Sequence, residues 1–477
     1  MASEHLASSI PANQPYRCHL LRILVWLCMA SCLLASVQAK AQDFLGYNGP
    51  DSQSECDAAE AAELFEYQAL QGDGFAENTQ TPALGYSDGF VVASPDFDSI
   101  PRENYPFSTR LNGWMQLRHA AFDSDGPNRS RNTLSLERIR IGLDGHAFVP
   151  ELRYTMVVDA NSDQAADVNF LDAFLSYDIG SHALDMRPNS LGLRAGKWKS
   201  PFSRSREESA RRFQFTERSV ANLFFDVGRS TGFSIYGEDE IDRMPARFEV
   251  AVINGINSGR DATISADDLD RNFAFSGRTS IDPLGPFTVG ESDLEWSPKS
   301  ILRLGAGFVG TRLDREGMVE FARPRVVASG RSLAELLPMS VDSFDYLMFT
   351  LDAHWKVRGF SLIAEHHWRT LYNFSNGSVP TLNDAGLLLQ AGYFLVPKKY
   401  EAVVRWSNIV GDSGTLGRFS ESTNEIGTGF ARYFHGHDVK FTVDLSWIDG
   451  VPINSPRLSL LPGDKGLLLR SQLQFGF

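Results

Sequence analysis

Arginine carries most of the chemical capacity of this chain. Of 45 Lys and Arg residues, only nine are Lys, so 36 are Arg. A planar guanidinium grips carboxylate or phosphate oxygens in pairs. The densest group lies within residues 199–229. There Lys199, Arg204, Arg206, Arg211, Arg212, Arg218 and Arg229 stand against Glu207, Glu208, Glu217 and Asp226. Seven cations against four anions suit contact with small anions. The plainer role is ion pairing that braces a fold.

Other groups are weaker signals. Gly305-Ala306-Gly307-Phe308-Val309-Gly310 matches a dinucleotide fingerprint by letter. No helix pattern follows it and no acid sits about 20 residues on, so glycine within a strand is the better reading. Glu365-His366-His367 and His435-Gly436-His437 suggest metal binding. Adjacent strand residues point to opposite faces, however, and the second group sits in a tight turn. No metal or other cofactor is expected. Ser361 with His354 and His367 is a remote candidate for a hydrolytic set, but no Gly-x-Ser-x-Gly elbow is present. No enzymatic step is expected.

These residues need elements to position them. The chain has 477 residues, 43% hydrophobic and 22% charged, which excludes wholesale disorder. Its net charge of −14 argues against a nucleic-acid partner. Arg17 and Arg22 precede an apolar run from Ile23 to Val37, followed by Ala39-Lys40-Ala41. This pattern predicts a cleaved export signal over residues 1–41. Cys18, Cys28 and Cys32 leave with it, and Cys56 remains without an intramolecular partner. Residues 42–105 hold 13 acids and one base, Arg102, and read as an acidic, solvated linker with a short helix near 55–71.

From residue 106 the dominant period is two. Leu347, Phe349, Leu351 and Trp355 alternate with Thr350, Asp352, His354 and Lys356. Val439, Phe441, Val443 and Leu445 alternate with Lys440, Thr442, Asp444 and Ser446. The final segment sets Leu467, Leu469, Leu473, Phe475 and Phe477 on one face, with Arg470, Gln472 and Gln474 on the other. Segments of this kind recur near 108–122, 132–148, 150–160, 168–179, 190–198, 230–237, 246–254 and 272–281. They continue near 301–311, 344–356, 358–371, 384–396, 400–410, 423–435, 437–448 and 465–477. Short turns such as Val149-Pro150 and Val357-Arg358 alternate with long links such as 199–229 and 312–343. The link 282–300 breaks that alternation. Residues 106–477 therefore predict an all-β fold, a transmembrane antiparallel barrel of about 16 strands. Such a barrel leaves an aqueous interior.

Several blocks then resemble the phosphate-selective porin O/P family of outer-membrane porins. They are Gly196-Lys197-Trp198-Lys199-Ser200-Pro201-Phe202, Phe215-Thr216-Glu217-Arg218, Gln390 to Pro397, Arg432 to Lys440 and Arg470 to Phe475. The resemblance spans about 108–477. It implies a homotrimer of 16-stranded barrels in outer-membrane lipid, with the third long loop folded into the pore. It also implies anion contact through inward arginines and a pore lysine. Terminal Phe477 is similar to the signal read by the barrel-assembly machinery.

On this reading the chain is a passive channel for small hydrophilic solutes, preferring anions, phosphate among them. Arg204, Arg206, Arg211, Arg212, Arg218 and Arg229 are the constriction candidates. Inward register places Arg110, Arg118, Arg138, Arg140, Arg153, Arg194, Arg278, Arg405, Lys440 and Arg470 on the pore wall. Among inward acids it places Asp144, Asp159, Asp172, Glu249, Asp352, Glu365, Glu401 and Asp444. A weakly selective general porin and a structural or adhesive barrel with a closed lumen are the alternatives.

Overall fold

A strand in hydrocarbon has no water to satisfy its backbone, so every edge must pair and the sheet must close. In the computed structural model, residues 83–86, 89–93, 107–160, 168–256, 269–455 and 458–477 are described. The export signal and the helix expected near 55–71 lie outside them. Two short strands come first, β1 (Ala83–Tyr86) and β2 (Phe90–Ala93). The wall then begins with β3 (Phe107–Ser124), β4 (Arg131–Ala147), β5 (Val149–Ala160), β6 (Val168–Tyr177), β7 (Gly192–Lys199), β8 (Arg229–Ile241), β9 (Met244–Ile253) and β10 (Ala274–Ile281). It continues with β11 (Ile301–Asp314), β12 (Ser343–Val357), β13 (Phe360–Tyr372), β14 (Leu382–Val396), β15 (Tyr400–Gly411), β16 (Glu421–His435), β17 (Val439–Asp449) and β18 (Lys465–Gly476).

Each wall strand pairs antiparallel with the next, and β18 closes on β3 from Gly466↔Ser124 to Gly476↔Trp114. The sixteen segments expected from alternation coincide with β3–β18 to within a few residues. The faces are inverted relative to a soluble sheet. On β18, Leu467, Leu469, Leu473 and Phe475 are 40–49% exposed on the outside, whereas inward Arg470, Gln472 and Gln474 are 1–3% exposed. Each outward side chain is worth roughly 1.5–3 kcal/mol once it lies in hydrocarbon instead of water. None of the described helices is long and apolar enough to cross a membrane.

The hairpin β1–β2 departs from the solvated linker expected throughout 42–105. β2 pairs with β3 from Phe90↔Leu111 to Ala93↔Ser108, directly beyond the point where β18 ends. Phe477 exchanges both backbone hydrogen bonds with Gly113, and its ring lies 5.8 Å from that of Phe90. The hairpin thus extends the seam strand and covers the free edge of β3. Four-residue strands in an acidic segment give too few alternations for a periodicity to show.

One end of the barrel carries tight turns, as at Asp242 and Arg243, both left-handed with φ of 54° and 67°. The other carries the long links, the external loops of an outer-membrane barrel. On the tight-turn end, 178–191 and 282–300 are long. The second folds inward. So does the external link 200–228. Together with link 315–342 they fill one side of the lumen. Phe202, Phe225, Phe321, Leu333, Phe344 and Leu382 belong to one buried apolar cluster there. Along β10–β18 the inward links and apolar side chains occupy the interior, and the cluster reaches Ala120 and Phe122 of β3.

Candidate functional site

The link 200–228 owes its compact shape to serines. Ser203 Oγ accepts from Arg206 N at 3.2 Å, and Ser219 Oγ from Asn222 N at 3.2 Å, capping short helices at Arg204–Glu207 and Val220–Phe224. Its remaining backbone donors need partners in a water-poor setting. Carboxylates of the far wall supply them. Ser205 N donates to Glu365 at 3.3 Å, Thr216 N to Asp444 at 2.9 Å and Val220 N to Glu425 at 2.8 Å. Gln214 Nε2 donates to Glu401 at 2.5 Å. The loop is thereby docked against β13, β15, β16 and β17.

That docking sorts the wall cations into two sets. Arg118, Arg138, Arg278, Arg405, Lys440 and Arg470 point inward as expected but are covered, each 7% exposed or less. Arg118 donates to Thr216 O at 2.7 Å, and Arg138 to Glu217 at 2.5 Å. Arg278 meets Asp352 at 2.6 Å, Arg405 meets Glu425 at 3.3 Å and Arg470 meets Asp444 at 2.8 Å. Lys440 Nζ donates to Phe213 O at 2.6 Å. These six brace the loop and do not face solution, because the loop's carbonyls and aromatic rings lie over them. Arg110, Arg140, Arg153 and Arg194 form the second set and stay partly exposed. Arg110 pairs with Asp144 at 2.9 Å, Arg140 with Asp159 at 3.0 Å and Arg194 with Glu249 at 2.8 Å.

The constriction candidates also divide. Arg204 is 5% exposed and reaches Glu291 at 3.4 Å and Glu365 at 3.7 Å, so it is an internal brace. Arg211 pairs with Asp438 near the tight-turn end. The Arg212 carbonyl accepts from Glu291 N at 3.3 Å. These three do not join the others. Arg206 pairs with Asp226 at 3.1 Å and Arg229 grips Asp172 at 2.8 and 2.9 Å. Arg218 donates to the carbonyls of Ser205 (2.8 Å) and Glu208 (3.0 Å), with its guanidinium over Phe213. Arg206, Arg218 and Arg229 interact electrostatically with one another, and Arg229 with Arg140 and Arg218 with Arg138 on β4. These three guanidinium groups thus gather on the β4 side, beside the paired Arg140 and the covered Arg138.

Sequence reasoning missed the inward acids Asp384, Glu425 and Glu137. Asp384 and Glu425 occupy inward positions that strand alternation alone would identify. Glu137 sits in a β-bulge, where Gln116↔Arg138 is followed by Leu117↔Leu136, so simple alternation misplaces it. The glycines of 305–310 also find their reason. A Cβ on Gly307 would stand 1.9 Å from Phe202 O, so this inward position must be bare for the loop to approach. The hydrolytic trio is not assembled. Ser361 is bonded to Gln214, His354 packs on Phe287, and His367 stacks between Phe202 and Phe225. Among the described residues no group of three or more His, Cys, Asp or Glu is arranged to hold a metal.

The family model for phosphate-selective porin O and P matches residues 109–477. The chain belongs to this porin family. It is an outer-membrane channel for small solutes, and its loop, covered arginines and partly exposed arginines are parts of a porin. No curated protein matches this porin significantly. Solved structures similar to it include OmpT of Vibrio cholerae with loop L8 deleted. That structure is 11% identical, covers 78% of this chain and 99% of its own, and has a TM-score of 0.49. An anion-selective porin from Comamonas acidovorans is 14% identical, covers 78% and 100%, and has a TM-score of 0.49. The channel DcaP of Acinetobacter baumannii is 12% identical, covers 78% and 97%, and has a TM-score of 0.45.

Proposed function

We propose that this porin passes small hydrophilic solutes by passive diffusion along the β3–β9 side of its lumen, with anions preferred. The observation that carries this reading is the gathering of Arg206, Arg218 and Arg229 beside β4. The segment 199–229 holds seven cations and four anions. The partly exposed wall pairs Arg110–Asp144, Arg140–Asp159 and Arg194–Glu249 nearly cancel, so the excess positive charge comes from the loop. Arg218 finds its nearest partners in carbonyl oxygens at 2.8 and 3.0 Å, with the Glu217 carboxylate farther off at 3.9 Å. A positive field in a narrow, low-dielectric passage concentrates anions.

No chemical step belongs to this function. Residues 1–41 are removed on export, the barrel-assembly machinery reads Phe477, and the working unit is a homotrimer. Phosphate is one of the anions that the guanidinium groups suit.

The deciding experiment is a reversal potential in planar bilayers under a potassium chloride gradient, followed by phosphate addition. Anion-sided reversal supports the proposal, and block of chloride current by phosphate extends it to phosphate. Reversal near zero would leave a weakly selective porin. The packed β10–β18 side favours a second reading, a structural barrel with a closed lumen. Folded protein without conductance would establish that reading instead.

A further inference from the structure

The link 282–300 starts from the tight-turn end, yet its middle lies deep inside the barrel. Glu291, Ser292 and Asp293 are 5%, 1% and 0% exposed. Three charged or hydroxyl residues in succession are buried at heavy cost unless each is paired. Each is. Asp293 accepts from the backbone N–H of Ser297 at 3.0 Å and of Gly359 at 2.7 Å. Ser292 Oγ donates to Glu401 at 2.8 Å and lies 2.7 Å from the Tyr433 hydroxyl. Lys356 Nζ donates to the carbonyls of Thr288 (2.9 Å) and Val289 (3.2 Å). A periplasmic link is therefore bolted to β12, β15 and β16 from within.

The tip of this link touches the external loop. Glu291 Oε2 accepts from Gln214 N at 2.9 Å and from Gln390 Nε2 at 3.1 Å. Glu291 Oε1 lies 3.4 Å from Arg204 Nη2. Its own N–H donates to Arg212 O at 3.3 Å. One carboxylate thus joins the loop's backbone, the loop's arginine and the wall strand β14. Glutamate suits this post because two oxygens serve three donors, and an ionised acceptor makes stronger hydrogen bonds than a neutral one.

We propose that Glu291 is a positioning residue for the pore: it latches the external loop 200–228 from the periplasmic side and so sets the width of the passage. Glu291 contacts no solute and acts through Arg204 and Gln214. The inference rests on the reading of that loop as the narrowing element. With the latch intact, Arg206 and Arg218 are held toward β4. Without it, the loop loses the tie that Gln214 N and Arg204 make to link 282–300, and its arginines withdraw from a defined position.

The test is single-channel recording of the full-length barrel carrying Glu291→Ala or Glu291→Gln, with folding checked by β-sheet circular dichroism and heat-modifiable migration. Glu291→Ala is expected to raise conductance and open-channel noise and to shift reversal toward zero. Glu291→Gln keeps an acceptor for Gln214 N but loses the charge opposite Arg204, so its conductance should fall between wild type and Glu291→Ala. If Glu291→Ala does not fold, Glu291→Gln decides: raised conductance supports the latch, and wild-type conductance overturns it. Folded Glu291→Ala with wild-type conductance and noise also overturns it. The anion reading fails separately, by near-zero reversal of the wild type, while a conductance rise in the variant would still establish the latch.

Discussion

The two sides of this lumen use the same ion-pair chemistry for different ends. Along β10–β18, Arg369 and Asp384 meet at 2.6 Å with side chains 1% and 0% exposed, roofed by loop and aromatic rings. Along β3–β9, Arg110 and Asp144 meet at 2.9 Å but remain 22% and 29% exposed. Removing one partner of a sealed pair strands a charge away from water, which costs about 3–5 kcal/mol. An exposed pair is worth about 0–1 kcal/mol. Register alone assigns both pairs to the pore wall. Burial decides which one is masonry and which one contributes to the field that a solute meets.

The largest effect should come from opening a sealed pair. Asp444→Ala leaves Arg470 unpaired and takes the acceptor from Thr216 N and Oγ1. A loss of about 3–5 kcal/mol is expected, read as a lower unfolding temperature in detergent. An unchanged melting profile would mean that the two sides do not differ as described. Next comes the field itself. Arg206→Gln with Arg218→Gln should move reversal potential toward zero while the barrel still folds and conducts. An unmoved reversal potential would take both residues out of selectivity.

A pH effect should follow on the lid of the packed side. Glu320, in the external link 315–342, is 1% exposed and accepts from Ile256 N at 3.0 Å. Burial, then the nearby Asp270 carboxylate, pushes its carboxyl up to about 7. A folded-state value raised above the unfolded one stabilises the closed contact fully below the unfolded value and loses that contribution as pH rises through about 7. Amide exchange at Ile256, corrected for intrinsic rates, should therefore be slower at pH 5 than at pH 8, and Glu320→Gln should remove the difference. Equal protection at both pH values would sink this assignment. The smallest effect belongs to the exposed pair. Arg110→Ala should change stability by no more than about 1 kcal/mol, and a loss several times larger would erase the contrast between the sides.

Much of the wall was legible because its code is local. The alternation in Val439–Trp447 and Leu467–Phe475 already assigns lipid and lumen faces, and the block around Gly196–Phe202 already points to the porin family. The hairpin β1–β2 was not legible, being too short to show a period. Nor was the inward course of 282–300: its length broke the turn rule, but nothing in Glu291-Ser292-Asp293 marks those residues as buried instead of solvated. The division of arginines was hidden for the same reason. Arg204 and Arg206 stand two residues apart on one short helix, yet one is an internal brace beside Glu291 and the other joins the cluster near β4.

By itself the sequence determined the barrel, its strand number and, away from bulges such as that at Glu137, which face of each strand turns inward. A two-residue period is set within each strand, and hydrocarbon accepts only one face of it. Only the tertiary structure decided which inward charges are covered and which meet solution. That choice depends on contacts such as Gln214 to Glu401, 187 residues apart, formed when an external loop folds inside the barrel and packs against the far wall.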